Sequence, residues 1–426
     1  MSQPARILLA LVLGIALGIA SAAVAGGAFT SGLIAVAEPV GGLWLDALRM
    51  TIIPLVIALL ITGIAATAEA ARAGRLAGRA LVLFLIILWT SSILAAVLLP
   101  LILELWPLPA AGAEALRAAL GATDAPVGTV PPVSEFLRSI VPSNPVAAAA
   151  NDAILPLILF TTLFGFAVTR LPPEPRKQLT AFFSAVADAM LVLIGWVLWI
   201  APLGVFALAL VVGARAGAGA VGALIHYIVV VSAIGIVVWL LAYPLARFAG
   251  GVRLGVFARA VAPAQAVAVS TQSSLASLPP MLAAAERLGI SVNSAGVVLP
   301  LAVALFRATG PAMNLAVVLY VAHWYGIALG PVQIATGIAA AAITTMGAVS
   351  LPGQVSFVTS IAPIALAIGV PIEPLGLLIA VETIPDIFRT VGNVTMDVAV
   401  TASVARDGDS ADPGAPSRRT TDGVAP

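Results

Sequence analysis

The sequence has no cysteine, two histidines and few charged residues. Without cysteine the chain has no disulfide and no thiolate to offer a metal ion. His226 and His323 alone are too few for a histidine metal site. Charged residues make up 9% of the 426 residues and hydrophobic ones 61%, so charge cannot cover the surface of a soluble domain of this size. The low content of charged residues excludes a soluble protein. The sequence has no basic patch that would indicate a nucleic-acid partner.

Long apolar runs recur along the chain and predict an all-α polytopic membrane protein. A membrane-spanning helix needs roughly 20 apolar residues. The first run resembles a signal peptide, but its length and the spans that follow favour a retained helix. The runs lie at 6–26, 50–68, 80–105, 153–171, 188–213, 221–246, 295–325 and 374–404.

Arginine and lysine cluster in alternate connections, which predicts the orientation of the chain. Placing the basic connections inside puts the N-terminus, with Arg6, and the C-terminus in the cytoplasm. The Pro-rich segment 105–145 then becomes an external loop. The basic connections hold Arg72, Arg75 and Arg79, then Arg170, Arg176 and Lys177, then Arg247, Arg253 and Arg259.

Two apolar segments are interrupted by polar or turn-forming residues. Residues 254–285 carry STQSSLASLPP at 270–280, and 330–370 carry GAVSLPGQ at 347–354. Each arm, of roughly 13–17 residues, is too short to span with ease, so we expect two re-entrant helical hairpins. Each is followed by a long span with polar residues at its centre. This order, found twice, predicts inverted repeats with a transporter binding site between them.

Five polar residues form a stripe in the last span. Glu382, Asp386, Arg389, Asn393 and Asp397 are spaced 4, 3, 4 and 4 apart, which keeps them on one face of a helix. An ionisable group at mid-bilayer costs about 2.5–3.5 kcal/mol, so such a stripe indicates a functional site. The structural alternative is that these side chains pair with one another to hold the bundle together.

The chemistry of the stripe suggests a ligand. Arg389 offers a planar fork that matches a carboxylate, and Asp386 can hold an ammonium group. Asn393 can both donate to and accept from the main-chain groups of an amino acid. Together these groups describe aspartate or glutamate. The serines within 270–277 and their backbone N–H groups are candidates for the remaining carboxylate.

Several motifs in order resemble the glutamate transporter homologues, the dicarboxylate/amino acid:cation symporter family, from about residue 40 to 405. The resemblance implies a homotrimer in the membrane. Each protomer would have eight transmembrane helices, two re-entrant hairpins and a transport domain that moves like an elevator against a scaffold. The motifs are IVPSNPVAAAANDAILPLILFTTLFGFAV (140–168), WIAPLGVFAL (199–208), SSLASLP (273–279), VLPL (298–301), LPG (351–353) and DIFRTVGNVTMD (386–397).

Matching positions imply roles for individual residues. Arg389 would bind a side-chain carboxylate, Asp386 the amino group and Asn393 the main chain, and Asp386 favours an amino acid over a dicarboxylate. The region Ala348–Gly353 resembles the tip of a gating hairpin. The expected substrate residues are Arg389, Asp386, Asn393, Ser273, Ser274, Thr390, Gly353 and Gly310. The expected ion-site or charge-substitution residues are Arg307, Asp397, Thr90, Ser91, Thr345 and Ala348.

One departure from the family puts sodium coupling in question. The family motif Asn-Met-Asp-Gly-Thr is replaced here by Phe306-Arg307-Ala308-Thr309-Gly310. Phe306 and Ala308 have no side-chain oxygen for sodium. We hypothesise that Arg307, paired with Asp397, supplies a fixed positive charge in place of sodium. The alternatives are coupling through a remaining carbonyl-built sodium site, a proton carried by Glu382 or Asp386, or uncoupled transport. Pro385 is expected to kink the last helix and shift Arg389.

These expectations divide the chain into scaffold and transport parts. The chain would be an inner-membrane transporter without a cofactor, with Na⁺ or H⁺ as the only candidate coupling ions. Neutral amino acids and C4-dicarboxylates are the alternative substrates, and an anion channel is the alternative class. The residue sets of an intramembrane enzyme do not occur. The divisions are 1–78 (scaffold helices), 79–104 (a transport-domain helix), 105–252 (external loop and mostly scaffold, with its last helix in the transport domain), 253–404 (transport core) and 405–426 (disordered cytoplasmic tail).

Overall fold

The computed structural model describes residues 3–24, 26–72, 74–108, 141–151, 153–217, 219–347 and 353–409, and these residues form helices and connections without a strand. The expected all-α fold is therefore confirmed. The helices are α1 (Gln3–Val24), α2 (Gly26–Arg72), α3 (Arg75–Leu105), α4 (Pro145–Ala150), α5 (Ile154–Arg170), α6 (Pro173–Trp199), α7 (Ala201–Ala216), α8 (Gly219–Phe248), α9 (Leu254–Thr271), α10 (Leu278–Arg287), α11 (Val292–Leu305), α12 (Gly310–Tyr325), α13 (Pro331–Gly347), α14 (Gly353–Ala367), α15 (Leu375–Leu378) and α16 (Thr383–Asp409).

Seven stretches of the described helices are long and apolar enough to cross a membrane: α1, α2, α3, α6, α8, α9 and the combined stretch of α11 and α12. The protein is therefore a multi-pass membrane protein. α2 extends well beyond the predicted run at 50–68, with 47 residues that continue through Pro39 and Pro54. Such a helix rises about 70 Å, roughly twice the hydrocarbon thickness of a bilayer.

The run at 188–213 was expected to form one span, and the structure corrects this. α6 ends at Trp199 and α7 begins at Ala201, with Ile200 between them. Proline at position 202 stands in the first turn of α7, where its missing N–H costs nothing, whereas inside a continuous helix it would remove a hydrogen bond. The proline accounts for a new helix start at this point.

Glycines let α1 and α7 pack closely. Gly14 and Gly18 lie one turn apart on α1, where four-residue spacing gives a flat face suited to close helix contact. A Cβ at Gly14 would lie 2.6 Å from the carbonyl oxygen of Phe206, and one at Gly18 would collide with the backbone of Leu210. Gly213 on α7 faces Ile15 in the same way. The helices therefore meet through backbone.

Substituting Gly18→Ala should destabilise the protein because the added methyl group must push the two backbones apart. Overpacking costs about 1–3 kcal/mol, and we expect a lower midpoint of thermal unfolding in detergent. Gly195→Ala on α6 is the matched control, because a Cβ there meets nothing within 4 Å. Alanine favours helix over glycine, so this control should leave stability unchanged or raise it. Equal losses in both variants would contradict the proposed close packing of α1 and α7.

The last third of the chain contains the predicted order of elements twice. α9 and α10 pack together as one helical hairpin, and α13 and α14 as a second. The first is followed by α11 and α12, separated by residues 306–309, and the second by α15 and α16, separated by residues 379–382. α9 has 18 residues and is slightly longer than expected. That the hairpins re-enter the membrane stays a prediction, as does the division into moving and fixed domains.

The apolar core is centred on the two interrupted helices. Nearly all of α12 is buried, and so is α16 from Val391 to Ala405. α8 packs along α16, and α3 packs along α12. Polar residues at the two breaks are consequently held deep inside the bundle rather than at its surface.

Candidate functional site

The break between α11 and α12 is fastened to α16 through Thr309. The Thr309 N–H donates to Asn393 Oδ1 at 2.9 Å. Its hydroxyl lies 2.8 Å from the same Oδ1 and 2.9 Å from the Arg389 carbonyl oxygen, and can donate to one of them at a time. Gly392 permits this approach, because a Cβ there would lie 2.5 Å from Thr309 Cγ2. Asn393 therefore holds the α11–α12 break against α16.

Arg389 lies between two carboxylates. Its Nη2 is 2.7 Å from Glu382 Oε1, and its Nη1 is 3.8 Å from Asp386 Oδ1. All three residues are buried. The stripe predicted from spacing thus gathers at one place. Pairing of these side chains with one another is the structural alternative that the spacing left open, and Arg389 pairs in this way with Glu382 and Asp386.

The predicted pair between Arg307 and Asp397 does not form. Arg307 Nη1 instead donates to Ser356 Oγ on α14 at 3.0 Å. Asp397 is fully buried, and neither of its carboxylate oxygens makes a hydrogen bond within the described part of the chain. The guanidinium reaches the second hairpin from the non-helical residues between α11 and α12. The charges of Asp386 and Asp397 still act on it.

The replaced motif beside Arg307 is packed as an apolar wall. Phe306 is buried and stacks on Phe84 of α3, with ring centroids 4.4 Å apart. Ser91 donates its hydroxyl to the Ala308 carbonyl at 2.5 Å. Thr90 is exposed on the other side of α3 and donates to Ile86 in its own helix. Of the two α3 residues predicted for an ion site, only Ser91 therefore reaches the break.

The first hairpin brings its tip to the start of α16. Gln272 adopts a left-handed conformation, with φ 50°, and donates from Nε2 to the Thr383 carbonyl at 3.3 Å. Ser273 accepts from the Ala276 N–H through its hydroxyl. Ser273 and Ser274 are both half-buried. The tip thus lies next to the residue that follows Glu382.

The remaining predicted residues are distributed around the same centre. A Cβ at Gly310 would lie 3.1 Å from Thr345 Cγ2, so these two positions are in contact. Thr345 donates its hydroxyl to Ala341, and Thr390 is buried. Gly353 is the first residue of α14. Ala348, with the rest of the predicted gating tip at 348–352, lies outside the described residues.

Several buried polar atoms of the cluster have unused hydrogen-bonding capacity within the described residues. They are Glu382 Oε1 and Oε2, Asp386 Oδ2, Asp397 Oδ1 and Oδ2, and Arg389 Nε and Nη2. The Glu382 Oε1–Arg389 Nη2 contact is an ion pair by distance, although its geometry is not that of a hydrogen bond. Buried polar atoms cost free energy unless they are paired. The cluster is therefore suited to a ligand with both anionic and cationic groups.

These features define a polytopic membrane transporter: a multi-pass helical chain in which two interrupted helices surround a buried polar site. The chain belongs to the sodium:dicarboxylate symporter family, whose model matches residues 4–407. The resemblance inferred from its motifs is thereby confirmed. Like its family and its relatives, the protein is a transporter and not an enzyme.

Three relatives illustrate the range of the family. The chain is 27% identical to the proton/glutamate-aspartate symporter of Escherichia coli (strain K12), over 87% of this chain and 84% of the relative. It is 30% identical to the neutral amino acid transporter B(0) of Oryctolagus cuniculus, over 91% and 77%. It is 26% identical to the C4-dicarboxylate transport protein of Laribacter hongkongensis (strain HLHK9), over 87% and 83%.

Removing the hydroxyl that fastens the break should destabilise the protein. Thr309→Val keeps the side-chain shape and the N–H bond to Asn393 Oδ1 but deprives the buried Arg389 carbonyl of the hydroxyl donor. Loss of a buried hydrogen-bond partner costs about 1–3 kcal/mol, so thermal unfolding in detergent should begin at a lower temperature. Thr90→Val is the matched control, since its exposed hydroxyl bonds only within α3. The importance of Thr309 would be refuted by a variant as stable as this control.

Proposed function

We propose that this chain is a secondary transporter of an acidic amino acid, aspartate or glutamate. The observation that carries the proposal is the buried Arg389 beside Asp386 at the meeting point of the two interrupted helices. The guanidinium can take a substrate carboxylate in bidentate geometry. The unpaired Asp386 Oδ2 can accept from a substrate ammonium group.

The relatives support this substrate class and supply the rival ones. One relative is named for glutamate and aspartate, another for neutral amino acids and a third for C4-dicarboxylates. A C4-dicarboxylate has no cationic group for Asp386. A neutral amino acid has no second carboxylate for Arg389. An acidic amino acid uses both residues, and for that reason we favour it.

Binding of this substrate is proposed not to require sodium. A sodium site needs several hard oxygen ligands, and Phe306 and Ala308 contribute no side-chain oxygen. The Ser91 hydroxyl already donates a hydrogen bond to the Ala308 carbonyl. Arg307 places a positive charge at the break instead, within electrostatic range of Asp386 and Asp397. Relatives named as proton symporters support the use of another coupling ion.

We further propose a homotrimer in the inner membrane, with cytoplasmic termini and an elevator movement of residues 253–404 with 79–104 and α8. The packing of α1, α2 and α7 on one another supports a separate scaffold. Large apolar side chains exposed on α6, including Trp196 and Trp199, support contact of this region with lipid or with neighbouring subunits.

Aspartate uptake into proteoliposomes tests the substrate assignment. Arg389→Ala should abolish uptake, because it removes the carboxylate ligand and leaves Glu382 without its cation. Asp386→Asn should reduce aspartate affinity by about 100-fold or more, while affecting succinate binding less. Removing one member of a buried charge pair costs about 3–5 kcal/mol. Arg215→Ala is the control, because Arg215 forms its pair with Glu38 at the surface. Uptake that survives Arg389→Ala would refute the assignment.

Titration calorimetry with and without sodium tests the ion requirement. We expect the aspartate dissociation constant to differ by less than about twofold between sodium and an impermeant organic cation, because the motif lacks sodium ligands. Restoring the family residues through Phe306→Asn, Arg307→Met and Ala308→Asp should create a sodium requirement. A sodium-dependent gain of about tenfold in the unaltered protein, or about 1.4 kcal/mol, would rule out sodium-independent binding.

A further inference from the structure

Glu382 occupies the same guanidinium that a substrate carboxylate would use. Its Oε1 lies 2.7 Å from Arg389 Nη2, and both side chains are buried. Arg389 Nη1 lies near Asp386 on the other side. A bidentate carboxylate needs two neighbouring N–H groups of the guanidinium. A substrate carboxylate that engages Arg389 therefore competes with Glu382.

Glu382 has nothing else to stabilise its charge within the described residues. Apart from the 2.7 Å contact with Arg389, neither carboxylate oxygen accepts a hydrogen bond, and Arg389 is the cation that acts on it. The other ionisable groups around it are Asp386 from α16, which repels it, and Tyr227 from α8. The Tyr227 hydroxyl is itself buried without a hydrogen bond in this part of the structure. Losing Arg389 would leave Glu382 as an isolated buried anion.

Asp386 is placed differently, which separates the roles of the two carboxylates. It lies within electrostatic range of Arg307 as well as Arg389, so it keeps a neighbouring cation when a ligand engages Arg389. Arg307 is itself anchored to Ser356 of the second hairpin. Asp386 can therefore remain ionised and accept an ammonium group. Glu382 would lose its neighbouring cation, so the free-energy cost of keeping it ionised would be higher than for Asp386.

The charge balance of the cluster points the same way. Two arginines, Arg307 and Arg389, face three carboxylates, those of Glu382, Asp386 and Asp397, so the fully ionised cluster carries one net negative charge. An acidic amino acid adds another. A buried charge without a partner costs far more than a neutral group. One proton on Glu382 restores the original net charge.

We propose that Glu382 is the coupling residue of this transporter: it exchanges with the substrate carboxylate at Arg389 and takes up one proton as it leaves. The Glu382–Arg389 ion pair breaks, the substrate carboxylate–Arg389 pair forms, and a proton from the aqueous phase binds the freed carboxylate. When the substrate leaves, the proton is released and the internal pair reforms. This inference rests on the proposed function of Arg389 as the carboxylate ligand.

Proton uptake on binding provides the test, with aspartate as the probe. Titration of the purified protein in buffers of different ionisation enthalpy measures the protons bound with each substrate. Across about pH 5 to about pH 9, the maximum should approach about one proton per aspartate, with affinity falling about tenfold per pH unit on the alkaline side. Glu382→Gln should still bind aspartate, with uptake near zero and a flat pH profile. Glu382→Asp should restore proton uptake because it restores a carboxylate.

Glu373→Gln is the matched control, because it removes a glutamate that pairs with Arg49 at the surface. It should keep the proton count of the unaltered protein. Aspartate binding without proton uptake, or uptake that persists in Glu382→Gln, would overturn the role of Glu382 and leave the proposed function standing. If the unaltered protein binds no aspartate or glutamate at any pH, the proposed function fails, and this inference fails with it.

Discussion

The rest of the site depends on how the chain satisfies backbone that leaves a helix inside an apolar bundle. Residues 306–309 separate α11 from α12, and their polar groups have no water to turn to in a membrane. Thr309 forms hydrogen bonds here: its N–H donates to Asn393 Oδ1, and its hydroxyl lies within hydrogen-bond distance of the Arg389 carbonyl. The same bonds fix the position of α16 relative to the break. The same hydrogen bonds therefore satisfy the backbone of the break and position Arg389.

The second constraint is the cost of buried charge. Arg307, Glu382, Asp386, Arg389 and Asp397 lie close enough for their charges to act on one another. Each charge would be expensive alone, and the group is tolerable because opposite signs alternate. Such a network is sensitive to any added ion. A charged ligand that entered it would have to displace or neutralise one of its members, so that binding and charge compensation would be coupled by electrostatics.

The replacement of the family motif fits this view. The family places an asparagine and an aspartate at the positions of Phe306 and Ala308. In this chain Phe306 stacks on Phe84, and the Ala308 carbonyl accepts a hydrogen bond from Ser91. The break is consequently drier than one lined by carboxylate and amide side chains. Arg307 adds a positive charge and links the break to Ser356 of the second hairpin. A charge that is part of the chain cannot leave with the substrate, which distinguishes it from a bound ion.

Much of this could be predicted from the sequence, and some of it could not. Hydropathy and length predicted a membrane protein of many helices, because burial of an apolar run depends on composition alone. Spacing of 3 and 4 residues placed Asp386 and Arg389 on one face, because helix geometry is local. The partner of Arg307 was predicted incorrectly, because it depends on the direction in which an irregular turn projects its side chain. The end of α6 at Trp199 was missed because a proline in an apolar run can either kink a helix or start a new one.

The sequence by itself determined the class of protein and the polar stripe of α16, since each follows from short-range periodicity or composition. Only the tertiary structure decided which groups meet: Glu382 and Asp386 at Arg389, Ser356 rather than Asp397 at Arg307, and Ser91 rather than Thr90 at the break. Neighbouring residues on a helix point about 100° apart. Which of them faces the site is set by how each helix is rotated, and that rotation is a result of packing among helices far apart in the chain.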